Sequence, residues 1–224
     1  MGIYIIFCAV ALVSYLIQRG LKSRIEEYSK IEIPYGLTGK DVAEKMLHDH
    51  GITDVKVQST GGFLTDHYNP ETKIINLSED IYYGNNVSAA AVAAHETGHA
   101  VQHATAYSFL KLRSALVPPV SFASRWVQWI LLAGVLLIQV FPFLLLAGIV
   151  LFALTTLFSF VTLPVEINAS ARALNWLESA NICTGEAQTK AKKALSMAAY
   201  TYVIAALSSL ATLAYYVLIY LRRR

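Results

Sequence analysis

The chain has 224 residues, of which 55% are hydrophobic and 15% charged, with a net charge of +3. Its mean hydropathy of +0.47 is high for a soluble protein, and no basic-aromatic groove or glycine-rich phosphate loop marks a nucleic-acid or nucleotide binder. The two cysteines, Cys8 and Cys183, form no C-x-x-C pair, and Cys8 lies within an apolar run, so neither a disulfide framework nor a thiolate metal site is available.

Residues 3–17 carry no charge and lack both a basic leader and a small-residue cleavage site, which predicts a retained membrane anchor over 1–18. Residues 37–50 read as an amphipathic helix, with Val42, Ala43, Met46 and Leu47 at helical spacing and Gly51 as its stop. Residues 55–58 alternate as a short strand. Residues 63–68 and 73–77 read as two more strands, joined by the turn Asn69-Pro70-Glu71-Thr72. An alanine-rich helix follows, with Asn86 or Ser88 as its N-cap, and carries His95-Glu96-Thr97-Gly98-His99. Residues 107–125 mix apolar side chains with Lys111, Arg113, Arg125 and Pro118-Pro119, a pattern expected at a membrane interface. Residues 127–164 carry no charge and are too long for one span; Phe141-Pro142-Phe143 near their middle predicts a helical hairpin. Residues 197–221 form a further uncharged run long enough to cross with some tilt.

The expected fold is therefore mainly α with a small β-hairpin or sheet, together with integral membrane helices. The whole chain, 1–224, reads as one membrane-embedded unit. Its parts are an anchor (1–18), a catalytic region (19–126), a helical hairpin (127–163), a helix and loop (164–196) and a last span (197–221). About four spans place 19–126 and 164–196 on one side. The first of these holds eleven basic residues, including Arg19, Lys22 and Arg24 directly after the anchor. The positive-inside rule puts that side in the cytoplasm of a multi-pass cell-membrane protein. Arg222, Arg223 and Arg224 then fall on the outer side, against the rule, unless the last segment stops short of crossing or the orientation is inverted.

His95-Glu96-Thr97-Gly98-His99 matches the H-E-x-x-H zinc-hydrolase signature. On a helix, positions i and i+4 share a face, so both imidazoles reach one ion while Glu96 is left to act on a water. Catalytic zinc takes three protein ligands and keeps one position open. His103 continues the i+4 series but lies about 12 Å of rise from His95, which suits a supporting or packing role. Glu166 is the better third ligand. It is the only acidic residue between Glu96 and Glu178, and a carboxylate at the end of a membrane helix is costly unless paired or metal-bound. His67, Tyr68 and Arg172 are candidates to stabilise an oxyanion, Asp66 to orient a motif histidine, and Gly98 to permit close packing.

Leu64-Thr65-Asp66-His67-Tyr68-Asn69-Pro70, the segment from Ala93 through His99 to Gln102, and Pro164-Val165-Glu166-Ile167-Asn168-Ala169-Ser170 resemble the bacterial membrane zinc metallopeptidases sometimes called the YugP family. The likeness covers nearly the whole chain. More distantly, Glu166-Ile167-Asn168-Ala169-Ser170 resembles the E-x-x-A-D element of heat-shock and CAAX-prenyl membrane proteases, whose glutamate ligates zinc. Ser170 stands where those have aspartate, and Asn168 where aspartate is expected in the closer family. The resemblance implies a zincin-like, gluzincin-type catalytic domain with one Zn²⁺ per chain. His95, His99 and Glu166 would hold it, and Glu96 would serve as the general base for hydrolysis, endopeptidase in type, of proteins or peptides at or near the bilayer. The rival is a membrane scaffold or adaptor that keeps the fold without turnover. No feature specifies an oligomer.

Overall fold

The computed structural model describes residues 2–222, with side chains from residue 8 onward. Met1, Arg223 and Arg224, which belong to the expected anchor and to the basic tail, lie outside the described residues. The described residues divide into two compact units: residues 11–107 with 165–201, and residues 2–10 with 108–164 and 202–222. Its elements in order are α1 (Gly2–Tyr28), α2 (Gly39–Asp49), β1 (Lys56–Thr60), β2 (His67–Asn69), β3 (Ile74–Ser78), α3 (Glu79–Tyr82), α4 (Val87–Ala104), α5 (Ser108–Leu136), α6 (Pro142–Ser179) and α7 (Gly185–Leu221). The fold is mainly helical with one small sheet.

In the first unit, α2 starts on a capping box: the Thr38 hydroxyl accepts from the Asp41 N–H, and the Asp41 carboxylate accepts from the Thr38 N–H. The helix buries Val42, Ala43, Met46 and Leu47, the stripe its spacing predicts. The sheet order is β1-β3-β2, with β1 parallel and β2 antiparallel to β3. The β2–β3 turn is tied by Asn69, whose Oδ1 accepts from the N–H groups of Glu71 and Thr72. Gly62 and Leu64 take φ values of 104° and 56°. These positive angles break the extended backbone, so β2 is limited to His67–Asn69 rather than the whole of 63–68. Asn86 is the cap of α4, its side chain accepting from the Ala89 N–H. Ala89, Ala90, Ala91, Ala93 and Ala94 are wholly buried, and their small side chains let α4 run through the core among Tyr28, Met46, Leu77 and Leu177.

In the second unit the hairpin expected from Phe141-Pro142-Phe143 is present: α5 ends at Leu136 and α6 begins at Pro142. A Cβ added at Gly134 would stand 2.6 Å from the Leu145 Cα, so glycine is what lets the two helices approach there. Val127, Leu131, Leu145 and Ile149 pack between them. The expected interfacial segment at 107–125 is not separate. It is the first part of α5, which continues through Pro118 and Pro119 at the cost of two N–H donors. Likewise α7 begins at Gly185, not 197. Among the described residues, α6 and α7 are the helices long and apolar enough to cross a membrane.

Candidate metal centre

One turn apart on α4, His95 and His99 stand with ring centroids 4.9 Å apart and planes nearly perpendicular. Glu166, on α6, brings Oε2 to 3.3 Å from His95 Nε2 and 3.4 Å from His99 Nε2. The three ligand atoms lie within 4.8 Å of one another, and Glu166 is only 3% exposed. Donors about 2.0–2.1 Å from a tetrahedral zinc are themselves about 3.3 Å apart by simple geometry, so both carboxylate–imidazole separations fit that ion. Two imidazoles and one carboxylate are also a donor set that catalytic zinc uses.

The two helices approach closely enough for this because position 98 has no side chain. A Cβ there would meet the Ala169 carbonyl oxygen at 2.7 Å. The packing expected of Gly98 is thus found, against the turn of α6 that follows Glu166.

Glu96 is buried and stands apart from the three-donor cluster, its Oε2 accepting from the Tyr68 N–H at 3.0 Å. Burial pushes its carboxyl up to about 7, with His95 pulling the other way and the carboxylates of Glu166 and Asp66 adding to the rise.

The structure places the other candidates as follows, and corrects one of them, Asp66. Asp66 does not reach a motif histidine. Its carboxylate accepts from the N–H and hydroxyl of Ser78 and ties the start of β2 to the end of β3. Burial raises its carboxyl above the ordinary range despite those bonds. His67 engages the Thr65 carbonyl and the Asn76 side chain, local contacts of the strand pair that leave it outside the donor cluster. His103 bonds the Tyr68 hydroxyl at 2.8 Å and does not join the cluster. Arg172 donates from Nε to Asn168 Oδ1 at 2.8 Å.

The motif histidines are instead backed by two neutral side chains. His95 Nδ1 lies 3.0 Å from the Ser170 hydroxyl, at the position where the distant families carry aspartate. His99 Nδ1 lies 3.0 Å from Gln102 Oε1. Gln102 was not among the residues singled out from sequence. Its signal was its place three residues after His99, on the same helical face.

A family model described as "Putative neutral zinc metallopeptidase" matches residues 3–221. The chain belongs to that family. It is also 42% identical over 222 residues to the "Putative membrane protease YugP" of Bacillus subtilis (strain 168), covering 99% of this chain and 97% of the relative. No solved structure gives a significant match. Membership agrees with the site: the H-E-x-x-H helix and the distant glutamate are brought together, and the relative's description as a membrane protease accords with the two apolar helices α6 and α7.

Proposed function

We propose that the protein is a zinc-dependent, membrane-bound endopeptidase acting on membrane-associated proteins or peptides. The observation that carries this reading is the convergence of His95, His99 and Glu166 from two distant stretches of chain. These three residues would hold the ion. Bound there, Zn²⁺ supplies Lewis-acid polarisation of a carbonyl and a water of lowered pKa. Glu96 takes the proton of the attacking water and later delivers it to the leaving amine. With Oε2 held by the Tyr68 N–H, the other carboxylate oxygen is the one that takes the proton.

A substrate in extended form would add to β2. This strand lies at the sheet edge, and Tyr68 turns its N–H away from β3 towards α4. Tyr68, which also places its hydroxyl against His103 on α4, stays in the expected oxyanion set with His67 and Arg172. If the chain crosses about four times, as its uncharged runs suggest, the charge bias of the loops puts the catalytic side in the cytoplasm.

The test is a comparison of wild-type and Glu96→Gln membranes on a broad peptide mixture read by mass spectrometry. Cleavage products are expected from the wild type alone. Equal processing by both would overturn the peptidase reading, and turnover by neither would favour a scaffold.

A further inference from the structure

Gln102 is wholly buried on the face of α4 that meets α6, and the orientation of its amide is determined twice over. Its nitrogen lies 2.8 Å from the Val165 carbonyl oxygen and 3.0 Å from Asn168 Oδ1. A main-chain carbonyl only accepts, so the Gln102 atom facing it is the NH₂ group. Arg172 only donates, so the Asn168 atom it meets is an oxygen, and that same oxygen faces Gln102. Both amide hydrogens are therefore committed. What remains is Oε1, 3.0 Å from His99 Nδ1. An oxygen at that nitrogen requires the imidazole hydrogen to sit on Nδ1. The lone pair of the neutral ring is then on Nε2, the atom turned towards Glu166.

We propose that Gln102 is the positioning residue of this metal centre. Through Oε1 it holds His99 as the Nδ1–H form, with Nε2 free to ligate. Through its NH₂ group it grips the carbonyl of Val165, the residue directly before Glu166, and so sets the third donor against the first two. One amide thus orients one ligand and locates another. Asn168 and Arg172 complete the chain by keeping the amide from turning over. This inference rests on the metallopeptidase reading.

Two measurements on the full-length chain in detergent test it. Zinc affinity is measured by chelator competition for wild type and Gln102→Leu, and the zinc-loaded, ¹⁵N-histidine-labelled wild type is examined by NMR. Gln102→Leu is expected to bind zinc about 10–100-fold more weakly, with His99 of the wild type showing a protonated Nδ1 and a ligated Nε2. Unchanged affinity in Gln102→Leu, or ligation of His99 through Nδ1, would overturn the positioning role and leave the metal site standing. Failure of the wild type to bind zinc at all would remove the metallopeptidase reading and this inference with it. If Gln102→Leu does not fold, the wild-type spectrum decides alone.

Discussion

In the proposed mechanism Glu96 meets two opposing demands at one carboxylate. Its burial favours the neutral form, whereas the general-base role proposed for it needs the ionised form. The Tyr68 N–H and His95 are the groups that favour ionisation. Glu96→Gln is expected to keep zinc and lose about 10²–10⁴-fold in kcat, checked by metal content alongside turnover; loss of zinc in that variant would mean Glu96 is a ligand. At Gly98 the expected result is different in kind. Gly98→Ala forces a Cβ against the Ala169 carbonyl, so the helices must part. It should destabilise by about 1–3 kcal/mol and weaken zinc binding, read by thermal unfolding and chelator competition. At this scale the sequence was readable where chemistry imposes spacing. The i, i+4 histidines and the lone acid Glu166 stand out in the chain. Of the partners of the histidine Nδ1 atoms, Ser170 was marked only by the place it shares with an aspartate of the distant families, and Gln102 by no more than its spacing from His99, because each is a common polar residue whose role depends on helix–helix approach. Asp66 looked as suitable a partner and proved to serve the sheet instead.

The elements carry their own tests. Thr38 and Asp41 cap α2 reciprocally, and Thr38→Ala is expected to cost about 1 kcal/mol at neutral pH, measured by thermal or chemical unfolding. The Thr38 hydroxyl, then its N–H, holds the Asp41 carboxyl below the ordinary range. A carboxyl lowered in the folded state stabilises it fully above the unfolded value of about 3.9 and loses that contribution as pH falls through the folded value. The gap between wild type and Thr38→Ala should therefore narrow on acidification below about pH 4; a gap constant with pH would contradict the capping box. Helix α2, the β2–β3 hairpin and the Asn86 cap were legible because each has a local signal: a stripe, an Asn-Pro turn, a side-chain acceptor. The parallel β1–β3 pairing was not, since nothing local joins Lys56–Thr60 to Ile74–Ser78. Nor were the ends of α5 and α7, where helices continue past Pro118-Pro119 and past the polar 185–196 without a sequence break.

For the whole molecule, hydropathy made the apolar segments plain, and orientation is the property that loop charge alone argues. Glu71 is exposed in the β2–β3 turn. In a Cys8→Ser, Cys183→Ser background, Glu71→Cys should resist a membrane-impermeant thiol reagent in intact cells and react after permeabilisation; labelling of intact cells would invert the orientation. The central claim concerns one coordination sphere, and X-ray absorption of the zinc-loaded, full-length chain examines it directly. One zinc per chain is expected, with two imidazole nitrogens and a carboxylate oxygen at about 2.0–2.2 Å, and with the carboxylate contribution lost in Glu166→Ala. A zinc environment unchanged by Glu166→Ala would contradict the account.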